Sequence, residues 1–436
     1  MVFEVIIGRK ENEKKIFGKK GLAYLGKSYV KMEDYTSLSN NVFLDIAKSH
    51  IILISGKRGS GKSYTLGVLA ESISEKEKED GLNISSLIFD TMGIFWTMKF
   101  RNFKDRDLLA EWGLESKNVP INIYAPSGYF EEYNKKGIPV DKELKIKISE
   151  ITKEEWIELF NLDYTKQEAV LISNVISFLE EKKSLVFNDI FKEIEKNPSF
   201  NKEIKNSVIA LFNMAKSWGI FDEKEGTPIK EIVKRGQTTV IDLSMYPSIS
   251  QFNIRGLVIG LICKKLFKER MISRKEEEVF SVQRAGFSEF TTTSVKDSPL
   301  VWVFIDEAHE FLPKEGKTPA TDSLIQLLRE GRQPGISLVL ATQQPGKIHT
   351  DAMTQSDIVI SHLLTAEQDI KALNEIMQSY VYEGIKKKMN ELPKLNGSAI
   401  VLDDNSERIY SIKVRPRYTF HGGETPSAIQ NYTNLL

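Results

Sequence analysis

The sequence predicts an α/β protein built on a mainly parallel sheet, with a helical insertion and a small N-terminal β segment. Three observations predict it. Short, continuous apolar runs recur at His50–Ser55, Ser86–Asp90, Pro120–Tyr124, Thr239–Leu243, Val301–Asp306, Ser337–Thr342 and Asp357–Ser361, as suits strands covered on both faces. Helical patterns lie between several of these runs. One run enters a glycine-rich turn that opens directly into a helical pattern, the order a phosphate site needs.

Residues 1–45 read as the β-rich segment. Val2–Ile7 is a short strand candidate, followed by the Lys/Glu-rich stretch Arg9–Lys15. Gly18, Gly21 and Gly26 then punctuate the apolar pieces Leu22–Leu25 and Ser28–Met32. So short a segment cannot bury a core alone. It is expected to pack on the body of the chain or on a neighbouring subunit. Residues 46–124 and 236–436 are assigned to the sheet domain, and 125–235 to the helical insertion. The insertion opens with a polar loop at Ser127–Lys136. Amphipathic helices follow, one through Ile172, Ile176 and Leu179, another through Ile204, Val208, Leu211 and Ala215. Lys182–Leu185 and Lys196–Phe200 separate them. The Ser/Thr-rich stretch Gln283–Pro299 reads as a loop before the strand at Val301.

The 436 residues carry 60 Lys+Arg against 60 Asp+Glu. With no net charge, any polyanion must be held by local groups rather than by the field of the whole chain. The single Cys263 excludes a disulfide framework and a cysteine zinc site; in its apolar helical stretch it reads as a buried hydrophobe. The N-terminus turns charged at once and no run of about 18 apolar residues occurs, so a cytoplasmic chain without a membrane span is expected.

Gly56-Lys57-Arg58-Gly59-Ser60-Gly61-Lys62-Ser63 fits the phosphate-loop pattern in full. Glycines let the backbone wrap close to phosphate oxygens. The loop N–H groups and the start of the next helix bind the anion. The ATP-binding set is therefore Gly56, Lys57, Gly59, Ser60, Gly61, Lys62, Ser63 and Tyr64. Lys62 reaches the β and γ phosphates, and Ser63 supplies a hard oxygen to Mg²⁺.

Val301–Ile305 is an apolar strand that ends in Asp306-Glu307, as a Walker B segment does. Asp306 would hold Mg²⁺ through water, and Glu307 would polarise the water that attacks the γ phosphate. The same residues spell Asp306-Glu307-Ala308-His309, a helicase signature. In that helicase group the acids follow the loop far sooner than the roughly 240 residues here, so His309 reads instead as a helix-start residue. Downstream, the helix Thr321–Glu330 presents Leu324, Leu327 and Leu328 on one face and ends at Gly331-Arg332-Gln333-Pro334-Gly335. Gln343, at the tip of the next strand, is placed to touch the γ phosphate or the attacking water. Arg332, with Arg329 as the second candidate, sits where an arginine finger could reach a neighbour's nucleotide.

These residues together resemble the HerA–FtsK superfamily of DNA-pumping ATPases, and most closely its HerA branch. The resemblance runs through Ser49-His50-Ile51, Ile88-Phe89-Asp90 with Gly93, Ile305-Asp306-Glu307-Ala308-His309 and Leu328-Arg329-Glu330-Gly331-Arg332. It continues through Leu340-Ala341-Thr342-Gln343, Val414-Arg415-Pro416-Arg417 and His421-Gly422-Gly423. It implies a RecA-like (ASCE) core, a homohexameric ring with ATP and Mg²⁺ at subunit interfaces, and duplex DNA in the pore. It also implies that Arg332 acts in trans as a catalytic residue beside Lys62, Glu307 and Gln343. The sequence departs from the family at Ile94-Phe95, Asp357 and His362. Its N-terminal part is shorter than the family's β-barrel, which puts a nuclease partner in doubt. Six copies of a small basic surface would suffice for DNA. Lys264, Lys265, Lys268, Arg270, Arg274 and Lys275 form a basic helix end that reads as a solvated face but could line a phosphate track, and Lys386-Lys387-Lys388 is a shorter run of the same kind. The alternative is a ring ATPase that remodels or regulates a protein partner without DNA.

Overall fold

In the computed structural model the described residues are 4–31, 36–247, 252–286, 298–364, 369–371, 388–389 and 391–423. Their strands are β1 (Val5–Ile7), β2 (Leu22–Lys31), β3 (Thr36–Asp45), β4 (Ile51–Ser55), β5 (Ile84–Asp90), β6 (Ile121–Pro126), β7 (Lys142–Leu144), β8 (Ile146–Lys147) and β9 (Phe221–Asp222). β10 (Thr238–Asp242), β11 (Leu300–Ile305), β12 (Ile336–Thr342), β13 (Ile358–His362), β14 (Ser398–Asp403) and β15 (Arg408–Val414) complete them. The helices are α1 (Glu11–Phe17), α2 (Lys62–Asp80), α3 (Arg106–Glu111), α4 (Ser127–Lys135), α5 (Lys153–Leu159) and α6 (Gln167–Glu181). α7 (Phe187–Lys196), α8 (Lys202–Ser217), α9 (Ile229–Ile232), α10 (Ile254–Gly286), α11 (Thr321–Glu330) and α12 (Thr350–Thr354) follow.

Thirteen strands form one sheet in the order β1-β3-β2-β15-β14-β13-β4-β12-β11-β5-β10-β6-β7. The seven apolar runs of the sequence are β4, β5, β6, β10, β11, β12 and β13. They lie side by side and are parallel throughout. Alternate residues go to opposite faces, and both faces are buried. Ile51, Leu53, Val301, Val303 and Ile305 join one core with α10 and α11. Ile52, Ile54, Trp302 and Phe304 join the other with α2. This double burial is why the strands read as continuous apolar runs rather than alternating ones. α11 has the predicted bounds, with Leu324, Leu327 and Leu328 buried, and Cys263 is buried on α10.

The structure corrects the sequence reading in several places. Arg9–Lys15 is largely helix, as α1. Leu22–Leu25 and residues 28–31 belong to one strand, β2, which stays continuous past Gly26 through register irregularities against β3. β3 and the antiparallel hairpin β14–β15 were not anticipated; the hairpin carries the N-terminal strands onto the edge of the main sheet. The polar stretch Ser127–Lys136 is mostly helix α4, with Tyr133 buried and Glu132 paired to Lys136 one turn on. The segment 125–235 holds α4–α9, and also β7 on the main sheet and the two-stranded sheet β8–β9. Most of Gln283–Pro299 lies outside the described residues.

Candidate functional site

β4 delivers the chain into the glycine-rich turn, and α2 leaves it. Gly61 stands at the head of α2 with φ 112°, a backbone that L side chains rarely adopt. A Cβ on Gly56 would lie 2.4 Å from Ser60 Oγ. The loop is closed on itself: Ser60 Oγ donates to the Lys57 carbonyl at 2.7 Å, and Lys62 Nζ donates to the same oxygen at 3.3 Å. Burial pulls the Lys62 ammonium below its usual range, while Glu307 and Asp306 oppose that shift. The Tyr64 side chain points away from the loop. Its phenol accepts from the Arg417 N–H at 2.7 Å, and its ring packs edge-on against His421, so its side chain is engaged elsewhere.

β11 and β12 bring the remaining predicted residues to the same end of the sheet. Ser63 Oγ donates to Asp306 Oδ2 at 2.5 Å. Burial raises the Asp306 carboxyl above its ordinary range, the Ser63 hydrogen bond works against this, and Glu307 adds to it. A buried carboxylate beside a hydroxyl, with its charge disfavoured, is a donor set that fits a hard divalent cation such as Mg²⁺. Glu307 is held at φ 50°, an uncommon conformation for a side chain of this size and one that gathers at functional sites. Gln343 Nε2 donates to Glu307 Oε1. The other oxygen, Glu307 Oε2, is buried without a hydrogen-bond partner, with His309 Nδ1 3.6 Å away. His309 lies in the short helical turn Ala308–Glu310, as read, and also reaches Thr342 Oγ1 at 3.2 Å.

Arg332 is not in this group. It lies at the opposite end of the sheet, where Nη2 is 3.2 Å from Asp357 Oδ2. Asp357 Oδ1 accepts the N–H of Ile51, the first residue of β4, at 2.8 Å. The phosphate loop follows the last residue of β4, about 13 Å farther along the strand. Arg332 therefore cannot serve its own chain's loop, and its side chain is half exposed. Arg329 is likewise remote from the loop, paired with Asp351 at 2.6 Å.

The basic run on α10 is mostly neutralised. Lys264 pairs with Glu155, Lys265 with Glu150, and Arg270 and Arg274 with Glu277. Arg270 is buried and also donates to the carbonyls of Pro334 and Ser298. Much of that run is thus tied to neighbouring elements, while Lys268 and Lys275 are exposed. Of Lys386-Lys387-Lys388, Lys386 and Lys387 lie outside the described residues, and Lys388 donates to the Ile409 carbonyl at 3.0 Å.

Several residues that shape the site carried no assigned role in the sequence reading. His362 is fully buried beside the loop, bonded to Thr65 Oγ1 at 2.9 Å and the Ser398 carbonyl at 3.0 Å. Burial takes its pKa down to about 4, against the Ser398 carbonyl, which works to raise it. Asp90 accepts the N–H groups of Met92, Gly93, Ile94 and Phe95, which ties down the loop after β5. Burial, and then Asp242 opposite it in register, push its carboxyl up to about 7. On α2, Glu71 is fully buried and binds both Arg415 and Arg417. Gly67 permits this, because a Cβ there would lie 2.5 Å from Arg417 Cζ. The Val414–Arg417 motif thus clamps the last described segment onto the phosphate-loop helix. The signal for it was three charged residues, Glu71, Arg415 and Arg417, in otherwise apolar surroundings.

The profile of the family described as "Helicase HerA, central domain" matches residues 28–266, and that of "Zonular occludens toxin (Zot)" matches 247–380. A probable helicase of Methanocaldococcus jannaschii is 21% identical over 96% of this chain and 71% of its own length. The DNA double-strand break repair helicase HerA of Sulfurisphaera tokodaii is 24% identical over 70% of this chain; the chain spans about half of it, 53%. Among solved structures, VirB4 of Thermoanaerobacter pseudethanolicus superposes with a TM-score of 0.53 at 14% identity, covering 91% of this chain and 96% of that one. That likeness shows a shared α/β fold. Among the described residues no helix is long and apolar enough to cross a membrane.

Proposed function

The chain belongs to the HerA central-domain family and has its P-loop ATPase fold, and from that premise we propose an ATP-driven DNA translocase or helicase that works as a homohexameric ring. The observation that carries the reading is the orphaned Glu307 Oε2, a buried acceptor beside the phosphate loop that a water molecule would satisfy. In this reading ATP lies along Gly56–Ser63, and Lys62 draws charge from the β and γ phosphates. Ser63 and Asp306 hold Mg²⁺, which would neutralise phosphate charge. Gln343 fixes the Glu307 carboxylate, which polarises the attacking water. Arg332 reaches the γ phosphate of a neighbouring subunit, and its position at the far end of the sheet supports action across an interface. We also read residues 1–45 and 125–235 as additions to an ATPase core formed by 46–124 and 236–436.

DNA as the substrate rests on what the relatives are named for. The ion-paired cations of α10 favour the second reading, a ring that remodels a protein partner. ATP turnover with and without duplex DNA, across a salt series, separates the two. Stimulation that fades with salt supports translocation, because phosphate contacts release counterions. Absence of both stimulation and retention on DNA at low salt leaves the protein remodeller.

A further inference from the structure

We infer that the surface over residues 99–116 is a second nucleic-acid site, remote from the phosphate loop, that takes a nucleotide unit of a single strand. The inference builds on the reading of this chain as a DNA-handling ATPase and says where a strand is gripped.

Lys99-Phe100-Arg101-Asn102-Phe103-Lys104-Asp105-Arg106 alternates aromatic and basic residues. The aromatic rings face solvent: Phe103 is 58% exposed and Phe100 50%, while Phe420, whose N–H bonds the Phe100 carbonyl, is 39% exposed. Phenylalanines gathered on a surface mark an interaction site. Among the described residues no ion pair forms on the exposed guanidinium of Arg101 or of Arg106, unlike the cations of α10. Arg106 lies over the Phe103 ring, 4.8 Å from its centre. Both arginines, with Phe103, line a cleft of about 300 Å³ floored by Leu109 and Leu114 and edged by Glu115 and Ser116. The Ser116 hydroxyl is buried there without a hydrogen-bond partner. A buried orphan hydroxyl costs stability unless something binds it.

The surface is also pre-organised. The Asn102 side chain accepts the N–H groups of Lys104 and Asp105 and donates to the Arg417 carbonyl at 3.0 Å. Arg101 bridges to Thr419, within the clamp that binds α2. A rigid frame that presents an aromatic face and two guanidiniums without an ion pair among the described residues, over an apolar floor, matches one ligand chemistry. A base stacks on Phe103, and its phosphates meet Arg101 and Arg106. Stacking needs an unpaired base, which makes the ligand a single strand rather than a duplex.

The test is fluorescence anisotropy of a labelled oligothymidylate on the full chain, with free thymidine monophosphate as competitor. ATP turnover and particle mass are measured in parallel. Phe103→Ala is expected to weaken strand binding about tenfold. The double variant Arg101→Ala/Arg106→Ala is expected to weaken it at least as much and to reduce the salt slope by about one to two. DNA-free ATP turnover stays unchanged in both, and the mononucleotide competes only at far higher concentration. Wild-type binding with unchanged affinity in the variants overturns the site. So does a change of particle mass in the variants without loss of strand affinity, because the patch is then an interface between copies. If duplex DNA stimulates turnover but no single strand binds, the site fails and the proposed function stands. If no DNA form binds or stimulates, both fail.

Discussion

Replacing Glu71 by Gln should destabilise the chain more than any change to its exposed charges. Glu71 accepts from Arg415 Nη1 and Arg417 Nε at 3.0 Å each, from the N–H groups of Tyr418 and Thr419 at 3.0 and 3.2 Å, and from the Thr419 hydroxyl at 2.5 Å. All three charged side chains are sealed from solvent. Burial alone would raise the Glu71 carboxyl; Arg417 and Arg415 outweigh it and hold it below its ordinary value. The glutamine keeps the shape but removes the charge that two buried guanidiniums share, and turns an N–H₂ group toward donors. Breaking a buried pair in this way costs about 3–5 kcal/mol. Domains are stable by only about 5–15 kcal/mol, so a large part of the margin would go. The assay is urea unfolding at neutral pH followed by tryptophan fluorescence. Glu132→Gln serves as control, because its exposed pair with Lys136 should contribute under about 1 kcal/mol. A loss under about 1 kcal/mol for Glu71→Gln would refute the reasoning, because the guanidiniums would then not depend on that carboxylate.

Two further predictions concern the two ends of the sheet. Lys62→Ala should abolish ATP hydrolysis and weaken nucleotide binding, and wild-type turnover in a filter or coupled assay would remove Lys62 from the site. At the other end, burial would lower the His50 pKa, but the hydrogen bond to Asp357 and the nearby Asp45 carboxylate, 3.8 Å from Nε2, outweigh it and raise it to about 9. Its stabilising contribution is therefore complete below its unfolded pKa, about 6.5, and is lost as pH rises through about 9. Thermal midpoints of wild type should fall across that window, whereas His50→Gln should show a flatter profile. Parallel profiles would mean that His50 is not charged between the two acids.

The central strands were legible because both of their faces are buried, which writes uninterrupted apolar runs such as Ile51–Ile54 and Val301–Ile305. The phosphate loop was legible because its chemistry is local, and the structure brings Lys62, Ser63, Asp306, Glu307 and Gln343 together at one end of the sheet. β3 was illegible because Thr36–Asp45 is half polar, with one part of its length open to solvent. The hairpin β14–β15 did carry a signal, the turn residues Asp404-Asn405-Ser406 between two apolar runs. Charges were read worst. The α10 cations read as a solvated face that could also line a phosphate track, yet two of them pair with Glu150 and Glu155, more than a hundred residues away in sequence. The reverse holds for Arg101 and Arg106, on which no ion pair forms among the described residues, as only the fold reveals.

In the proposed ring, hydrolysis needs Glu307 of one subunit and Arg332 of the next. The most direct test mixes Arg332→Ala subunits with Glu307→Gln subunits, each inactive alone, and measures ATP turnover in the reassembled particle. Random equal mixing gives about one interface in four an intact pair, so turnover should recover toward about a quarter of wild type. No recovery, with co-assembly of the two variants verified by mass, would contradict an arginine acting across the interface.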